Sequence, residues 1–182
     1  AKMLARTVQL PARSIPPGNC SITDYLAQPV FTPSLIWAAR GMTIASNDDA
    51  SFNIMLHEGR FNGKVLGRTI PQRTATSDLA KKALGDGWRI STPGTLEPCL
   101  IPASEIIRTV GFAARVPAYN RLLFTSPDVL WAVRYTLPGE PHVADVYNLE
   151  RGYVGTIRLG AANPIAARTD GGIISLEADA ND

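Results

Sequence analysis

The chain has little of what the common catalytic and metal-binding plans need. Among its 182 residues there are only two cysteines, Cys20 and Cys99, and two histidines, His57 and His142. Neither pair has CxxC or HxxxH spacing, so the sequence offers no zinc site and predicts no bound metal. Two cysteines this far apart read as buried thiols of a reducing compartment, with a disulfide as the alternative. No apolar run approaches the ~18 residues of a membrane span, and Lys2 and Arg6 precede "TVQLPARSIPP", which lacks the apolar centre of a signal peptide. The expectation is a cytoplasmic protein that does not engage a membrane.

Charge is also sparse. Charged residues make up 19% of the chain, and eighteen cations against sixteen acids leave +2. The cations are scattered, so bulk electrostatics do not indicate a nucleic-acid partner. All but four of them are arginines, a choice that suits bidentate anion binding as well as a GC-rich coding bias.

What the chain does have is proline and glycine, 14 and 15 residues spread over its whole length. They cut it into short apolar segments of mostly period two, the pattern of β-strands. Segments such as "SLIWAARGMTIAS", "CLIPASEIIRTVGFAARV", "VLWAVRYTL", "HVADVYNL" and "GYVGTIRLG" are read as strands. One helix is predicted, in "TSDLAKKALGDG", with Thr76 or Ser77 as its cap and Gly85 as its end. The length suits one domain. We divide the chain into a Pro-rich arm over 1–35 that lies across the body or a neighbour, a β domain over 36–177 and an acidic tail over 178–182.

Three segments in order resemble a known family. "DDASFNIMLHEG" (Asp48 to Gly59) is similar to an opening signature in which Asn53 takes the place of an Asp. "LERGYVGTIRL" (Leu149 to Leu159) looks like the motif IDPGYRGEIxL, and "NPIAARTDGGIISLE" (Asn163 to Glu177) looks like a closing strand-turn-strand. The family is the dCTP deaminase and dUTPase superfamily. The resemblance implies a mainly β fold, a distorted β-barrel or jelly roll of the dUTPase-like (β-clip) type with one short helix, assembled as a homotrimer. It implies a deoxynucleoside triphosphate as ligand, with Mg2+ arriving on its phosphates.

Carried over residue by residue, the resemblance makes Glu150 the catalytic acid that orients water and Tyr153 the ring that stacks on deoxyribose. Gly155 becomes the second glycine of the substrate turn. Where relatives have an Arg-Ser-Ser phosphate turn this chain reads "PAYNRLLF", so Asn120 and Arg121 become the substrate-binding candidates. The strand acid of the deaminase branch is matched by Gly160, which cannot move a proton. The expected chemistry is therefore dUTP-diphosphatase-like hydrolysis at a degenerate site, either active or silent. The alternative is a non-enzymatic β protein, either a regulatory binding protein or a structural or assembly component such as a virion shell or decoration subunit. A β-sandwich unrelated to the family is also open. The stretch "TSPDVLWAVRYTLPGEPH" reads as an extra hairpin, with Trp131 and Tyr135 as packing or interface residues, and a solvated Glu150 would pair with Arg151.

Overall fold

The computed structural model describes residues 28–48, 50–90, 99–160, 163–168 and 172–176. Residues 1–27 of the expected arm (1–35) and the tail at 178–182 lie outside them. Two four-stranded antiparallel sheets form the body. The first has the order β1 (Ile36–Arg40), β2 (Thr43–Asn47), β3 (Ile54–His57) and β4 (Val65–Leu66). The second runs from β10 (Gly152–Arg158) through β9 (Val143–Asn148) and β8 (Val129–Arg134) to β7 (Tyr119–Ser126). Two-stranded ladders join β5 (Gly87–Ile90) to β6 (Cys99–Pro102) and β11 (Asn163–Ala167) to β12 (Ile173–Leu176).

The period-two pattern explains why the two large sheets face one another. Ala45, Ile54, Leu56 and Leu66 point inward from the first sheet and meet Leu122, Phe124, Leu130, Ala132 and Tyr147 from the second in one continuous core. Strand β1 packs against β7 along one side. On the other side the chain around β4 reaches the second sheet, with Lys64 Nζ donating to the Glu150 carbonyl at 2.7 Å and Arg68 to Thr156 Oγ1 at 3.3 Å. The β1–β2 connection is a two-residue loop in which Gly41 holds φ +60°, a first-position glycine of the kind a type II′ hairpin requires.

The fold is mainly β, as the alternation predicts, but it is a pair of open sheets, and no closed barrel forms among the described residues. The predicted helix is present as α1 (Ser77–Leu84), capped by Thr76, whose hydroxyl accepts from Leu79 N at 3.2 Å, and ended at Gly85. A second helix, α2 (Ala103–Val110), replaces part of the strand read in "CLIPASEIIRTVGFAARV". Its apolar residues Ala103, Ile106, Ile107 and Val110 follow helical spacing, Pro102 precedes it and Gly111 ends it at φ +71°. Buried Ala80 of α1 joins Phe31, Val116 and Leu137 in one lateral cluster, and Ile106 of α2 joins Ile101 in another.

Two further expectations change. The supposed extra hairpin supplies β8, an interior strand paired on both sides by β7 and β9, because its apolar residues face both the core and the outer side of the sheet. Trp131 packs on the outer cluster of Leu123, Val133 and Ala144, and Tyr135 meets Phe31 edge-on at 5.9 Å. Cys99 is half-buried and disulfide-bonded, where a buried thiol was expected; the thiol reading rested on a presumed compartment rather than on any local packing.

Candidate functional site

The polar centre of the molecule is Asp145, in the middle of β9. Strand alternation puts Asp145 and Tyr147 on the inner face, while Ala144 joins the outer cluster. The carboxylate is completely buried. Across the ladder it lies between small Ala132 on β8 and Thr156 on β10, and this pairing leaves room for longer side chains to converge from Arg134 and Arg68.

Every acceptor direction of the carboxylate is used. Oδ1 accepts from Arg68 Nη1 at 2.9 Å, Arg134 Nη2 at 2.8 Å and Thr156 Oγ1 at 2.6 Å. Oδ2 accepts from Arg134 Nε and from the Tyr119 hydroxyl, both at 3.1 Å. A hydroxyl has one proton, so Tyr119, which gives its own to Asp145, receives one from Tyr147 at 2.7 Å. By the same count Thr156 accepts from the Tyr153 hydroxyl at 2.8 Å. An isolated buried carboxylate is prohibitively costly, and this one is tolerated because two guanidiniums and two hydroxyls, those of Tyr119 and Thr156, complete its shell.

The same burial governs protonation. It is the main reason that the Tyr119 hydroxyl is held far above its ordinary value, reinforced by Tyr147 and by the charge of Asp145. Tyr147 is pushed up to about 12, again chiefly by burial. Burial alone would lower Arg134, but its hydrogen bonds and attraction to Asp145 prevail and raise it. The cluster is built to keep Tyr119 and Tyr147 neutral and Arg134 charged.

Beside it lies a cleft of about 370 Å³ bounded by Phe52, Arg73, Arg134, Tyr135 and Glu140. Arg73 pairs with Glu140 at 2.8 Å, and Glu140 also accepts from Leu137 N at 2.9 Å. Burial opposes the charged form of Glu140, yet the Leu137 N–H and Arg73 outweigh it and lower its pKa.

The residues proposed from sequence fall in three places. Tyr153 borders the Asp145 cluster, with Arg68 over its ring at 4.2 Å and Tyr147 edge-on at 5.8 Å. One face of its ring is therefore already covered. Glu150 sits in the β9–β10 turn, 62% exposed, with its carboxylate 3.3 Å from Arg60, which also binds Asp128. The partner is Arg60 rather than the expected Arg151. Arg60 sets a cation beside Glu150, an arrangement that does not fit a metal ion at that carboxylate. Gly155 follows the bulge of β10, and a Cβ on it would meet nothing within 4 Å. Asn120 is exposed at the bulge of β7, and the adjoining Arg121 donates to the Pro164 carbonyl at 2.5 Å. Within one chain Arg121 and Tyr153 lie on opposite edge strands of the sheet, which are three strand spacings or about 14 Å apart, and Arg121 is in register with Ile157 rather than with Tyr153.

The sequence reading missed Asp145, Arg68, Arg134, Tyr119, Tyr147 and Thr156. A usable signal was present in "HVADVYNL", where an acid shares the inward parity of Tyr147 and Leu149. Arg134 likewise shares the parity of Leu130 and Ala132. A charge on a buried stripe demands a partner on another strand.

Fold and centre together define an open two-sheet β-sandwich stapled by an internal Arg–Asp–Arg cluster. Comparison with known proteins adds nothing to that class: no family model, no curated protein and no solved structure matches the chain.

Proposed function

We propose that this chain is a non-enzymatic β-sandwich subunit that works by assembling with copies of itself. The observation that carries this reading is the closed Asp145 cluster: the one buried acid among the described residues spends all its acceptor capacity on internal donors. A carboxylate so engaged holds two sheets in register and has no lone pair left for substrate or water. The surface supports assembly. On the outer face of the first sheet Trp37, Ser46, Met55 and Val65 form one cross-strand row, with Trp37 63%, Met55 39% and Val65 50% exposed and no charged side chain in the row. An uncharged, partly apolar face can pair with its own copy without like-charge repulsion.

Light scattering at increasing concentration tests this. Association is expected, and Met55→Glu with Val65→Glu should return the protein to monomer; a wild-type chain that stays monomeric at high concentration would overturn the reading.

A second reading, handling of a deoxynucleoside triphosphate at a dUTPase-like turn, is favoured by Tyr153 standing beside two arginines. Incubating the same preparation with dUTP and Mg2+ separates the two: the scaffold reading expects no diphosphate, and its release would favour the nucleotide reading.

A further inference from the structure

The cleft beside the Asp145 cluster opens where the inner face of the second sheet ends. Arg134 on β8 and Val143 at the start of β9 share the inward parity of Ala132 and Asp145, and Arg134 is in register with Tyr119. Phe52, just before β3, meets the Tyr119 ring edge-on at 5.4 Å and lies 5.7 Å from Arg134 Cζ. These contacts bring Phe52, Arg134 and Val143 to one cavity of about 370 Å³, whose walls also include Val116, Pro117 and Pro141. Ionised side chains are confined to Arg134 and the Arg73–Glu140 pair. In the Arg134 guanidinium, Nε and Nη2 are engaged by Asp145 and Thr156, while Nη1 makes no hydrogen bond among the described residues. No buried side-chain nitrogen or oxygen among them lacks a partner, so Nη1 is accessible. Charge is left over as well. Arg68 and Arg134 share the single carboxylate of Asp145, which leaves one positive charge of the cluster uncompensated. Arg73 and Glu140 cancel, and Lys82 adds a cation close enough to help lower the Glu140 pKa.

We propose that this cleft binds a small monocarboxylate with an apolar body, the carboxylate on Arg134 Nη1 and the body against Phe52, Val116, Pro117 and Val143. A guanidinium that shares its counter-charge still attracts an anion, whereas a neutral ligand leaves the excess charge as it is and a cation is repelled. The apolar walls select the rest of the molecule. A phosphate would bring more oxygens than one Nη1 can satisfy, and those left against apolar walls would lose their hydration without a partner. A mainly apolar cavity of a few hundred Å³ with one directing polar group is the usual composition of a small-ligand site, and this volume suits a single ring or a short chain. The inference goes beyond the assembly reading and stands without it, because one chain holds the whole cleft.

Calorimetric titration with 4-phenylbutanoate, and with 4-phenylbutan-1-ol as its neutral counterpart, provides the test. Saturable binding of one acid per chain is expected, with the alcohol bound about tenfold or more weakly, the difference a hydrogen bond to a charged group makes. Glu140→Gln removes the acid that lines the cleft and should tighten binding of the carboxylate about threefold while leaving the alcohol unchanged. A gain of that kind cannot come from unfolding. Val143→Trp places an indole in the cavity and should abolish binding of both compounds, with circular dichroism checking that the strands are retained. Absence of saturable binding by the acid, equal affinity for acid and alcohol, an acid affinity unmoved by Glu140→Gln, or full affinity in a folded Val143→Trp variant would each overturn the proposal.

Discussion

At the scale of single residues, stability concentrates at Asp145. Replacing it with Asn keeps the shape but leaves Arg68 and Arg134 as half-buried, uncompensated charges. Breaking a buried pair from one side costs about 3–5 kcal/mol, so Asp145→Asn is expected to lose about that much in urea denaturation. Thr156→Ala, which removes one of the donors, should cost about 1 kcal/mol. The tyrosines set the alkaline limit. Their folded pKa values lie above the ordinary value of 10.0, so their contribution is complete below pH 10. It is lost as pH climbs, through about 12 for Tyr147. Thermal melts from pH 8 to 12 should fall beyond pH 10, and Tyr147→Phe should flatten that fall. At the acid end Glu140 has the opposite sign, its stabilisation being present above its unfolded value of 4.5 and lost as pH drops through the lower folded value.

At the scale of elements, the β9–β10 hairpin separates two glycines that look equivalent in "GYVG". Gly152 holds φ +89°, which L side chains rarely adopt, whereas Gly155 lies outside that range and faces open space. Gly152→Ala is expected to cost about 1–3 kcal/mol, and Gly155→Ala to stay within about 0.5 kcal/mol, both read from denaturant midpoints. The helices show how far periodicity carries. In α1 an N-cap threonine, an amphipathic run and a terminal glycine agree, so the element was legible at both ends. In α2 the run "ASEIIRTV" follows a genuine strand, Cys99–Pro102, without a polar cap between them. A short apolar run of this kind fits strand and helix alike, and the packing of Ile106 with Ile101 settles it as helix.

At the scale of the whole molecule, one cross-strand row on the outer face of the first sheet runs from Trp37 on β1 through Ser46 and Met55 to Val65 on β4. Contact with other copies through this row would cover the indole, 63% exposed in the single chain, together with Met55 and Val65. Met55→Glu with Val65→Glu should therefore abolish oligomers in light scattering.

Local pattern alone determined the mainly β character, the capped α1 helix and the tight turns, because alternation, caps and backbone-permissive glycines act over a few residues. The tertiary structure alone decided the open two-sheet arrangement, the central place of β8 and the Asp145 cluster. Those features depend on which strands become neighbours. A buried carboxylate finds Arg68 across 77 residues and Tyr119 across 26, a distance at which only packing, and no motif in the chain, brings charges together.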